Sequence, residues 1–67
     1  MNRTYKKIEL VGIANEGYEK AIQNAIGKAS QTLEDMAWFE VIEQRGKISS
    51  GKVVEYQVII KVAFKLK

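Results

Sequence analysis

Trp38 and Gln57 carry the most specific chemistry in this chain. An indole presents a rigid, flat π surface, and a side-chain amide presents one donor group and one acceptor group. Together they suit a flat ring with a hydrogen-bonding edge, provided that both lie on one surface. Side chains alternate across a strand. In the segment 56–66, Tyr56, Val58, Ile60, Val62, Phe64 and Leu66 form one row. Gln57, Ile59, Lys61, Ala63 and Lys65 form the other. In Trp38-Phe39-Glu40-Val41-Ile42, Phe39 and Val41 are the natural core pair, which turns Trp38, Glu40 and Ile42 away. Trp38 and Gln57 are therefore expected on the sheet face opposite the core.

Three strands and one helix must hold these residues. Residues 5–13 are rich in β-formers and end near Gly12, which marks a first strand. Residues 15–17 form a turn and helix entry, with Asn15 or Gly17 as the N-cap and Glu16 and Glu19 suited to the first turn. Tyr18, Ala21, Ile22, Ala25, Ile26, Ala29 and Leu33 recur every three or four positions, the signature of an amphipathic helix. Lys20, Gln23, Asn24, Lys28 and Gln31 fall on its solvated side. A second strand runs from residue 37 to about 48. Ser49-Ser50-Gly51 makes a turn, and a long third strand runs from about 53 to 66. A long last strand can pair with both others. The expected fold is α+β: a β-α-β-β chain whose antiparallel sheet, ordered 1-3-2, packs one face on the helix.

Composition narrows the functional classes. Sixty-seven residues form a single domain, 1–67. So small a chain buries only about 60% of its unfolded surface and usually needs reinforcement. With no Cys and no His, disulfides and most metal staples are set aside, and assembly is left. The absence of Cys fits a cytoplasmic location. The N-terminus passes directly into a strand-like pattern, so no signal peptide is expected. No apolar run approaches the roughly 20 residues of a membrane span. A net charge of +3 suits an anionic small molecule as well as a nucleic acid. Trp38, Ile42, Ile59 and Ala63 would leave an apolar patch on the second sheet face, which marks an interaction surface. Copies of the chain are expected to pack there.

Across its whole length the sequence resembles the dodecins. The resemblance is carried by Ile8-Glu9-Leu10-Val11-Gly12, the helix stretch 21–29, Trp38-Phe39-Glu40-Val41, Arg45-Gly46 and Tyr56-Gln57-Val58. It departs from the family at Ala14-Asn15-Glu16-Gly17, where many relatives have Ser, Thr or Pro, and at Ile13, which replaces a common Thr. The resemblance implies a hollow homododecamer that binds flavins as stacked pairs between tryptophans at two-fold interfaces. It makes Trp38 the stacking residue and Gln57 the ring-binding amide. FMN or riboflavin are the implied ligands, with lumichrome and FAD as further forms. Arg45 and Lys65, with Lys61, are candidates for a phosphate tail, Lys65 acting from a symmetry-related subunit. Glu40 could order a water or a cation. The resemblance also implies coenzyme A binding, as in some bacterial members near a three-fold axis; Arg3, Lys6 and Lys28 are basic residues to consider, and none is assigned to it.

The implied role is flavin storage with quenching of photochemistry. Catalysis has little support, because no His or Cys is available for acid–base or nucleophilic work and no carboxylate pair is placed about a substrate bond. A single-stranded nucleic-acid module is the main alternative, since an aromatic, an amide and lysines on a sheet face can stack bases. One aromatic and a low net charge count against it. A ligand-free self-assembling shell is the other alternative.

Overall fold

The computed structural model describes residues 2–67. The chain folds as β1 (Tyr5–Ala14), α1 (Tyr18–Ala29), β2 (Met36–Ser49) and β3 (Lys52–Lys65). The strands form one antiparallel sheet in the order β1-β3-β2, as the length of the third strand led us to expect. β2 and β3 join through a two-residue turn, Ser50 and Gly51, with φ of 52° and 76°. Two positive φ values match the twist of a tight hairpin.

α1 packs its alanine stripe, Ala21, Ala25 and Ala29, onto the sheet. Facing it are Val58, Ile60 and Val62 of β3, all fully buried, with Ile8 and Leu10 of β1 partly buried beside them. The approach is close because Gly12 of β1 lies beneath the helix. A Cβ at this position would overlap the Ala21 carbonyl oxygen and stand 3.0 Å from the Ala25 Cβ. Asn24, expected on the solvated side, is exposed, but its Nδ2 donates to the Ile13 carbonyl at 3.0 Å and ties the helix to the end of β1. Gly17 is the N-cap, and no side chain caps the helix.

The helix covers less of the sheet than the sequence pattern suggests. Phe39 and Val41, expected as a core pair, are 45% and 44% exposed. Their orientation is as expected, since they pair with Val62 and Ile60 on the helix side. The discrepancy is one of dimensions. A helix is about 10 Å across, enough for two strands spaced about 4.8 Å apart but not for three. α1 lies on β1 and β3. Its 12 residues span about 18 Å, against about 46 Å for the 14-residue strands β2 and β3. The helix side of β2 and the hairpin end are left open, including Ile48, Val53 and Val54. A groove of about 670 Å³ runs between α1 and β2, with Tyr18, Ile22, Ile26, Met36 and Phe39 in its walls. Two smaller expectations also change. The helix ends at Ala29, so Leu33 lies beyond it, and Leu66 lies past the end of β3 and is exposed.

Candidate functional site

The face of the sheet opposite α1 is a grid whose rows follow from the strand register, since residues directly paired across strands share a face. From the open end of the sheet the rows are Lys7–Ala63–Trp38, Glu9–Lys61–Glu40, Val11–Ile59–Glu43 and Ile13–Gln57–Arg45. Tyr5 and Lys65 pair just beyond the first row. Trp38, Gln57, Arg45 and Lys65 thus occupy one face, together with Lys61.

Arg45 reaches that face by an irregularity. Counted by simple alternation from Trp38, Arg45 would point toward the helix with Phe39 and Val41. The β2–β3 ladder skips Ile42, pairing Val41 with Ile60 and then Glu43 with Ile59. Such a bulge sets two residues of one strand against one of the other and reverses the alternation beyond it. Ile42 is therefore the bulged residue rather than a regular member of the Trp38 row, and Glu43 and Arg45 take the open face. The expected apolar patch also changes. Ala63 is fully buried and Ile59 partly so. Val11 and Ile13 of β1 join Trp38 as exposed apolar groups of this face.

Trp38 is 44% exposed but its ring is held. Ala63 lies between β1 and β2 with only a methyl group, and the Trp38 ring meets Tyr5 across it, centroids 4.8 Å apart and tilted by 55°. The indole Nε1 donates to Glu40 Oε2 at 3.1 Å. The same oxygen takes the Lys7 ammonium at 2.7 Å. Glu40 thus serves a ring and a lysine of its own chain. Its carboxyl is held below the ordinary value of 4.5, first by the Lys7 hydrogen bond and then by the Trp38 N–H. Tyr5 is the neighbour of Trp38 that sequence reasoning missed, and the face carries two aromatics rather than one.

At the other end, Arg45 Nε donates to Gln57 Oε1 at 2.7 Å, and Gln57 Nε2 donates to Glu55 Oε2 at 2.6 Å. Arginine only donates and an ionised carboxylate only accepts, so these neighbours fix which way the Gln57 amide points. Each end of the amide retains one further hydrogen-bonding position. Arg45 NH1 also stands 3.9 Å from Glu43.

Trp38 pairs with Ala63, and Gln57 lies six residues from Ala63 along β3. At about 3.3 Å per residue the two are about 20 Å apart within one chain. Lys65, on the Trp38 side of Ala63, is about 26 Å from Gln57 by the same measure. One protomer brings together Trp38 with Tyr5, Lys7 and Glu40, and separately Gln57 with Arg45 and Glu55. It does not bring Trp38 and Gln57 within reach of one ring.

A β-α-β-β chain with its sheet face uncovered carries an aromatic cluster at one end of that face and a polar, hydrogen-bonded cluster at the other. The chain belongs to the dodecin family, whose family model matches residues 4–67. Dodecins are known as small flavin-binding proteins, binding proteins rather than enzymes, and their structures are multimeric assemblies. A curated dodecin from Thermus thermophilus is 52% identical over 66 residues, covering 98% of this chain and 96% of its own length. The solved dodecin from Streptomyces davaonensis is 45% identical, with a TM-score of 0.94 over all of this chain and 98% of that one. A calcium-chelating antigen from Mycobacterium tuberculosis, calcium dodecin, is 31% identical, with a TM-score of 0.82 over 96% of this chain and 91% of that one. No described helix is long and apolar enough to cross a membrane.

Proposed function

We propose that this protein stores flavin, FMN or riboflavin, as stacked pairs between Trp38 residues of two subunits in a homododecamer. The observation that supports this most is the division of the open face. Trp38 is exposed at one end and the Gln57 amide is oriented at the other, about 20 Å away. A ring of flavin size can meet both only when two copies bring their open faces together, with the stacking indole from one and the amide from the other.

In that arrangement Gln57 contributes one remaining acceptor and one remaining donor position to the edge of the ring, where carbonyl oxygens flank an N–H. Arg45 lies beside it and is the first candidate for an FMN phosphate, because guanidinium groups pair well with phosphate. Lys65 of the Trp38-bearing copy is the second. Bound flavin supplies a strong photo-oxidant, and a stacked indole supplies an electron that returns quickly, so excitation ends as heat. Coenzyme A is a further candidate ligand of the assembly.

The Tyr5–Trp38 contact favours this reading over a platform for single-stranded nucleic acid. With centroids 4.8 Å apart and planes tilted by 55°, the two rings form one aromatic unit and not two successive stacking positions. Among the described residues of one protomer no three acidic side chains gather to hold a cation, so no calcium site is proposed within the subunit.

The test is a titration of protein into dilute riboflavin and FMN, followed by flavin fluorescence. Strong quenching that saturates near one flavin per chain is expected. Unquenched fluorescence with both flavins would sink the proposal. Gln57→Ala should lower riboflavin affinity by about tenfold, the effect of two hydrogen bonds of about 0.5–1.5 kcal/mol each. Equal affinities of parent and variant would remove Gln57 from the site.

A further inference from the structure

The Trp38 side chain is fixed from three directions before any ligand arrives. Tyr5 packs against its ring. Ala63 beneath it is fully buried and too small to push it aside. Glu40 Oε2 accepts its indole N–H, and Lys7 holds that same carboxylate oxygen in place. An exposed tryptophan normally turns about its outer side-chain torsion, which has broad wells. Ordering such a side chain on binding lowers affinity, and ordering it beforehand removes that cost.

We propose that Glu40, held by Lys7, is the positioning residue for Trp38: it locks the indole in its stacking orientation and places a negative charge beside the N–H. The inference rests on the flavin reading above and extends it. The carboxylate has a second consequence there. An indole that has given up an electron is electron-poor, and an anion about 3 Å away stabilises it while the electron is absent. Glu40 therefore serves both the placement of the ring and its capacity as a donor. The charged groups facing Glu40 are Lys7 and Glu9 on β1, Lys61 on β3 and Glu43 on β2. Lys7 and Lys61 oppose its protonation, and the hydrogen bonds from Lys7 and Trp38 lower its pKa. The hold is thus complete at neutral pH and is lost only as the pH falls below 4.5.

Trp38 is the sole tryptophan of the chain, so one indole N–H resonance reports the contact without ambiguity. The experiment measures that resonance in the ligand-free assembled protein as a function of pH, and riboflavin affinity by fluorescence, for the parent, Glu40→Gln and Lys7→Met. Glutamine keeps the shape and an acceptor oxygen but removes the charge. The parent resonance should stay constant through neutral pH and move below 4.5. Glu40→Gln should displace it at every pH and weaken riboflavin binding about fivefold, the difference between a charged and a neutral hydrogen bond at a half-exposed site. Lys7→Met should shift both readouts in the same direction by less. Coincident resonances and titrations for parent and Glu40→Gln would overturn the proposal. A displaced resonance with unchanged riboflavin affinity would leave the contact but overturn its positioning role. Failure of the parent itself to bind riboflavin would overturn the flavin reading and the positioning role with it, while the resonance still decides whether the indole–carboxylate bond exists.

Discussion

Trp38→Ala is expected to weaken riboflavin binding by roughly 5- to 150-fold and to restore most of the ligand's fluorescence. The range follows from stacking on an aromatic side chain, about 1–3 kcal/mol per ring, with about 1.4 kcal/mol for each factor of ten. The loss should be large because nothing else on the open face can replace the surface. Tyr5 is the nearest aromatic, and its ring already lies tilted against Trp38. The alanine removes an exposed side chain and leaves the core of Val58, Ile60 and Val62 untouched. The assembled mass in analytical ultracentrifugation should therefore match that of the parent. Equal quenching by the two proteins would exclude Trp38 from the site, and a collapse of the assembly would show that its main role is structural.

The second large effect is expected on the helix side of the sheet, at Gly12. A methyl group there would overlap the Ala21 carbonyl oxygen and crowd the Ala25 Cβ. The obstacle is helix backbone, which cannot rotate aside as a side chain can, so the whole of α1 must lift from β1. Overpacking of this kind costs about 1–3 kcal/mol in ordinary cores, and Gly12→Ala should lie at the upper end. For a chain of this size that is a fall in melting temperature of about 12 °C or more. Thermal unfolding followed by circular dichroism tests it. A change of only one or two degrees would mean that the helix is free to move, and that close packing at Gly12 does not limit stability.

Much of the fold is legible in the sequence, and what is not legible depends on pairing and reach in three dimensions. The row of Val58, Ile60 and Val62 and the opposite row of Gln57 and Lys61 were legible because strand alternation is local and strict. The pairing order β1-β3-β2 followed from the length of the last strand. Arg45 was a different matter. Its face depends on the bulge at Ile42, and a bulge is a property of how β2 pairs with β3, not of the residues that flank it. Phe39 and Val41 face the helix side as alternation implies, but the helix does not cover them. Periodicity marks an apolar face but says nothing of how far a single helix reaches across it. Tyr5 was overlooked for a third reason. It meets Trp38 only across an intervening strand, and no spacing along the chain records that Ala63 leaves room for the contact. What the sequence could not contain at all was the separation of Trp38 from Gln57, which exists only once the register is known.

That separation makes ligand retention a matter of mass action on the proposed reading. If neither half of the site binds well alone, occupancy depends on protomer concentration as well as on flavin concentration, and each bound ring adds its free energy to the association of the copies that hold it. Flavin and assembly then stabilise one another reciprocally. Dilution or partial dissociation would release cargo steeply rather than in proportion. A container of this type would need no lid, because the act of coming apart is its opening.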